Sequence, residues 1–197
     1  LEHVLKNNIT THFFKEESYP RRLLQCVDAP LLLYGQGVYD LNYSKVVAIV
    51  GTRNATSYGK RFCDELIESF VDNNVLVISG LASGIDSHVH KRCVELNVPT
   101  IGVLGHGFDR IYPSQNKGLS EQMKSNGGLL TEFIPGTNPD RENFIKRNRI
   151  VAGMCEATIV IESAEKGGSL ITANIANDYN RDVFAVPGRI TDKFSQG

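Results

Sequence analysis

The sequence predicts a doubly wound α/β domain built on a mostly parallel sheet, and three observations carry that reading. From Lys45 onward, short β-branched runs alternate with stretches of helical spacing. The runs are almost continuously apolar and lack strict alternation, as strands covered on both faces require. Glycine-rich turns follow the runs, the connection that a strand entering a crossover helix needs.

Residues 1–44 stand outside this pattern. They hold Tyr19-Pro20, Ala29-Pro30 and Gly35-Gln36-Gly37 around the apolar run Leu31-Leu32-Leu33-Tyr34. They read as a lead-in arm or edge strand leaning on a core of residues 45–197. In that core the expected strands are 46–50, 75–78, 100–104, 128–131, 158–161 and 183–186. Helices are expected over 59–73, 85–96, 117–126, 143–155 and 169–180. The first carries Phe62, Leu66, Ile67 and Phe70 as an apolar stripe at i, i+4, i+5 and i+8. There are no internal repeats or low-complexity tracts.

Length and composition bound the function. A chain of 197 residues suits one domain, and 41% hydrophobic residues suffice for a buried core. The 21 Lys and Arg against 22 Asp and Glu give a net charge of −1, which excludes binding by bulk positive charge but not a local basic patch. No apolar run reaches the roughly 18–20 residues of a membrane span, and no secretory leader is visible, so a cytoplasmic protein is expected. The opening on Leu1 and the ending at Gly197 read as those of a fragment. Cys26, Cys63, Cys93 and Cys155 are widely spaced without a CxxC, which fits reduced thiols.

In open α/β sheets, ligands bind beyond the carboxyl ends of the strands. Those ends carry Gly51-Thr52-Arg53, Gly80-Leu81-Ala82-Ser83-Gly84, Gly105-His106-Gly107 and Lys166-Gly167-Gly168-Ser169. Glycines let backbone N–H groups approach an anion, while Ser and Thr add hydroxyl donors. Four such loops, two of them with a cation, predict a phosphate-binding edge. Neither GxGxxG nor GxxxxGK[ST] is present, and Arg53 occupies space that a dinucleotide's pyrophosphate needs. No cofactor is expected.

A second signal is Arg141-Glu142-Asn143-Phe144-Ile145-Lys146-Arg147-Asn148-Arg149, with four cations and two Asn in nine positions. Arg141, Arg147, Asn148 and Arg149 near a helix N-terminus suit a sugar–phosphate backbone, and Phe144 offers a face for base stacking. By contrast, Asp86-Ser87-His88-Val89-His90 is a weak metal pattern, because the two His point to different helix faces. Asp86 is expected to cap the helix and orient His90. No G-x-S-x-G elbow supports a Ser/His/Asp triad, so neither a metal nor a catalytic residue is assigned.

These stretches resemble the DprA/Smf family of bacterial DNA-processing proteins. The resemblance runs in order from about residue 19 to the end, through Val47–Arg53 with Tyr58-Gly59, Ser79–Asp86, Val103–Gly105 with Asp109 and Tyr112-Pro113, Arg147–Gly153, Gly168–Ala173 and Val183–Gly188. It implies an extended Rossmann-like fold, single-stranded DNA binding, dimerisation and help in loading the RecA recombinase during natural transformation. It further implies that Arg53 and Arg141 contact DNA. The Gly80–Gly84 loop, Arg147, Arg149 and Lys166–Ser169 would line the same pocket. Ser83 stands where the family often has a basic residue.

Two other functions suit a fold of this class. A nucleoside-monophosphate phosphoribohydrolase of related fold needs a Glu at the end of its P-G-G-x-G-T-x-x-E loop. Here Glu165-Lys166-Gly167-Gly168-Ser169-Leu170-Ile171-Thr172-Ala173-Asn174 has no Glu at the loop's end. A scaffold that holds a small nucleotide without turning it over is the other.

Overall fold

The computed structural model describes Val4, residues 6–189 and residues 191–197; residues 1–3 and 5 of the expected lead-in lie outside it. The strands are β1 (Thr10–Phe13), β2 (Leu32–Val38), β3 (Lys45–Gly51), β4 (Val75–Ser79), β5 (Thr100–Val103), β6 (Gly127–Thr131), β7 (Ala157–Ile161) and β8 (Asp182–Ala185). The helices between them are α1 (Ser57–Glu68), α2 (Ile85–Glu95), α3 (Lys117–Met123), α4 (Arg141–Met154) and α5 (Gly168–Asp178). The strands make one eight-stranded sheet in the order β1-β2-β6-β5-β4-β3-β7-β8. From β6 to β8 every pairing is parallel. The lead-in adds β2 antiparallel to β6, and β1 antiparallel to β2.

The apolar runs lack alternation because both faces of the sheet are covered. On β3, Val46, Ala48 and Val50 join Ile150 and Val151 of α4 in one core, while Ile49 joins Cys63 and Ile67 of α1 and Val89 of α2 in the other. The first core also takes Tyr19, Leu23 and Leu33 from the lead-in. There Tyr19 is fully buried, and its hydroxyl donates to the Pro30 carbonyl at 2.5 Å. All four cysteines are buried and free.

Two helices end three or more residues earlier than expected. α1 stops at Glu68 because the chain reverses through Asp72 and Asn74, both at positive φ, before β4 begins. α3 stops at Met123 because Asn126 serves a turn, its amide donating to the Asn97 carbonyl at 2.8 Å.

The strand order places the ligand crevice. From β3 the chain builds outward on one side through β4, β5 and β6, then crosses to the other side of β3 for β7 and β8. The loops after β3 and β7 therefore diverge, opening a crevice at the switch point where ligands of such folds bind.

Candidate nucleic-acid interface

A cavity of about 660 Å³ occupies that crevice. Its walls are Gly51, Thr52, Arg53 and Asn54 after β3, Gly80 and Ala82 after β4, and Lys166, Gly167, Gly168 and Ser169 after β7. The first turns of α4 close it with Arg141, Phe144, Arg147 and Asn148. Most of the residues expected at the site thus meet in one place.

Close backbone approach explains two of the glycines. A Cβ on Gly51 would lie 2.0 Å from the Ile161 carbonyl oxygen of the neighbouring strand. Gly84 has φ +86°, and a Cβ there would lie 2.3 Å from the Thr52 oxygen. Thr52 also accepts from Ile85 N at 3.1 Å, so the loops after β3 and β4 are locked together under Arg53. Leu81 and Glu162, each just beyond a strand end, hold φ of +56° and +55°. Such backbone costs roughly 1–3 kcal/mol per residue and gathers at functional sites. The Glu162 carboxylate holds its turn by accepting from Thr56 N at 2.9 Å and from the Thr56 hydroxyl.

The rim is cationic and free. Arg53, Arg141 and Lys166 are exposed, and none makes a side-chain hydrogen bond or ion pair among the described residues. α5 points its N-terminus into the cavity from Gly167 with no side-chain cap, leaving backbone N–H groups for an anion. The Ser169 hydroxyl donates to Ser163 at 2.8 Å, which in turn donates to the Ala164 carbonyl. Ser169 therefore braces its loop. Phe144 forms an aromatic wall with Tyr112, their ring centroids 5.7 Å apart. Ser83 is exposed beside them, with Arg53, in a small annex of about 50 Å³.

Three expectations are corrected. Arg147 is not a free cation: it is 5% exposed, and its guanidinium donates to the Gly80 oxygen at 2.7 Å and to the Val103 oxygen. Burial pushes its pKa down to about 10 despite the nearby Asp86. Arg149 lies outside the cavity, bonded to Glu132 at 2.6 Å and 3.8 Å from Asp28 of the lead-in. Asp86 does not orient His90. It accepts from Ala82 N at 3.3 Å, whereas His90 Nδ1 meets Thr100 Oγ1 at 2.8 Å.

The sequence reading did not name Asn54, Tyr112 or Ser163 as site residues, yet all three line the cavity. Arg147 shares the helical stripe of Ile150, Val151 and Met154 at i, i+3, i+4 and i+7, a signal that it points inward. Nothing local marks Ser163, which is recruited by the crossing of β7. Among the described residues no cluster of side chains is arranged to hold a metal ion, and no helix is long and apolar enough to cross a membrane.

Residues 10–197 match the family model of DNA recombination-mediator protein A. The chain belongs to that family. It is 43% identical over 176 residues to protein Smf of Synechocystis, an alignment covering 87% of this chain and 44% of Smf. The chain thus spans less than half the length of that relative. The X-ray structure of DNA processing protein A from Streptococcus pneumoniae superposes with a TM-score of 0.90 at 37% identity, covering 98% of this chain and 69% of that one. A structure of DNA processing protein A from Helicobacter pylori, described as giving insight into its single-stranded DNA binding mode, superposes at 0.85 with 28% identity. It covers 95% of this chain and 84% of that one. These family members establish the extended Rossmann-like, mostly parallel architecture.

Proposed function

We propose that this chain binds single-stranded DNA through the cavity at the switch point, without reading sequence and without catalysing a reaction. The observation that carries this is the rim of three cations, Arg53, Arg141 and Lys166, that have no ionic partner among the described residues. Free cations and backbone donors hold phosphates of any sequence, and the Phe144–Tyr112 wall gives bases a surface on which to stack. The description of the Helicobacter pylori relative supports the same ligand. By extension from the family, the protein acts in the cytoplasm during DNA uptake, protects incoming strands, helps to load RecA recombinase and works as a homodimer.

The test is a fluorescence-anisotropy titration of labelled oligo-dT of roughly 30 nucleotides, longer than most single-strand footprints, at two salt concentrations with duplex competitor. Binding should weaken with salt by a log–log slope of about −0.7 for each phosphate neutralised. The Arg53→Ala/Arg141→Ala variant should lose affinity for all sequences alike, and undiminished binding by it would refute the site.

Among the described residues the cavity offers the phosphoribohydrolase reading one carboxylate, Asp86, which is buried and already accepts from Ala82 N. Release of free base from AMP would be needed to favour it.

A further inference from the structure

Beyond Arg53 the surface opens into a second groove of about 520 Å³, separate from the cavity between the sheet loops. Arg53 and Asn54 line both, so they form the ridge between the two. The far side of the groove is made by Lys60 of α1 and by Ser87, His88 and Lys91 of α2. With Gly84, these three α2 residues fall at i, i+3, i+4 and i+7, which gives the helix one polar stripe along the groove floor. The opposite wall brings Gln115 and Gln122, whose side-chain amides make no hydrogen bond among the described residues.

The charge state of this groove is one-sided. Among the described residues Lys60 is exposed and has no ion pair, and Lys91, with its side chain 69% exposed, has only a 3.8 Å contact to Glu95. Behind the floor, the Asp64 carboxylate is already bonded to His88 at 2.8 Å and lies 3.9 Å from Arg92. Lys60 and Lys91, beside an Arg53 that has no ionic partner among the described residues and facing free side-chain amides, leave the groove open to an anion.

We propose that this groove is a second phosphate subsite, into which a single strand continues after crossing Arg53 from the cavity. The inference rests on the strand-binding reading above and extends it. Bases and phosphates near the cavity are held by Arg141, Lys166 and the aromatic wall. The next phosphates along the chain are held by Lys60 and Lys91, with Gln115 and Gln122 as neutral donors. Arg53, common to both compartments, fixes the strand at the crossing. A short strand needs only the cavity, so the groove should matter only to longer ones.

The experiment compares the unaltered protein with Lys60→Gln/Lys91→Gln on oligo-dT of about 4 and about 16 nucleotides, the limits of common single-strand footprints. Both lysines are exposed, so the variant should keep its fold, which circular dichroism checks. On the long strand the log–log salt slope should fall by about 1.4, two phosphates at about 0.7 each. The advantage of the unaltered protein over the variant should then shrink about sevenfold between roughly 50 and 200 mM salt. On the short strand the two proteins should match. An unchanged long-strand slope, both here and in Lys60→Glu/Lys91→Glu, would overturn the groove while leaving the cavity intact if Arg53→Ala still loses binding. An equal loss on both strands would also overturn it, since the lysines would then act as a diffuse field. If the unaltered protein binds neither strand, the underlying reading fails as well.

Discussion

The guanidinium of Arg147, buried in α4, donates to the carbonyl oxygen of Gly80 at 2.7 Å. The same group reaches the Val103 oxygen, so one side chain ties the ends of β4 and β5 to the helix whose first turns form the cavity wall. This arginine organises the site from below. Removing it as Arg147→Met leaves two carbonyls and the buried Asp86 without their cation. The expected loss is about 3–5 kcal/mol, the range for breaking a buried charged network. Urea denaturation measures it, and a loss under about 1 kcal/mol would mean that the network carries little.

Gly84 is the hinge between that network and Arg53. At φ +86°, with the Arg53 carbonyl oxygen 2.5 Å from where a Cβ would lie, it has no room for a side chain. Gly84→Ala should cost at least about 1–3 kcal/mol. It should also weaken strand binding, because the loop carrying Arg53 must move. Thermal denaturation should show a drop of about 2–4 °C per kcal/mol for a domain of this size. An unshifted melting temperature with normal binding would contradict the locked-loop reading.

Phe144 separates stacking from charge. Its ring lines the cavity and packs against Tyr112, while its neighbours Arg141 and Lys166 supply the cations. Phe144→Leu keeps the wall apolar but removes the flat face. Oligo-dT affinity should fall by about 1–3 kcal/mol, the worth of one stacked base, with the salt slope unchanged. A changed slope at constant low-salt affinity would show that no base stacks there.

His90 makes stability depend on pH. Thr100 Oγ1 donates to the Val77 oxygen at 3.0 Å, so it must accept from His90 Nδ1–H. The other ring nitrogen is then an unprotonated, buried Nε2 without a hydrogen-bond partner among the described residues. Burial, reinforced by Arg147, holds the pKa down at about 3, against 6.5 in the unfolded chain. Between those values the unfolded state binds a proton that the folded state refuses. Stability is therefore complete above pH 6.5 and falls on acidification toward pH 3, by about 1.4 kcal/mol per pH unit from this group. In urea titrations from pH 6.5 to 4, His90→Leu should show a slope shallower by that amount, and equal slopes would show that His90 takes up its proton in the fold.

Much of this protein was written locally. The continuous runs at Val46–Val50 and Thr158–Ile161 announced strands covered on both faces, because only a doubly covered sheet dispenses with polar alternation. Gly51, Gly80 and Gly167-Gly168 announced tight strand-to-helix loops, and at Gly51 the backbone of the neighbouring strand leaves no room for a Cβ. Arg53 and Lys166 could be read as anion ligands from their place in those loops. The tertiary structure alone decided which cations are free. Arg141 and Arg147 lie in one nine-residue segment of similar composition, yet the turn of α4 exposes the first and buries the second against β4 and β5. Arg149 was claimed by Glu132 just beyond the end of β6, a partner seventeen residues away that no local pattern names. The position of the cavity was likewise a property of strand order. Loops after β3 and β7 are over a hundred residues apart and meet only because the chain crosses back over β3. Local chemistry sets what each loop can hold, and long-range pairing sets which loops hold it together.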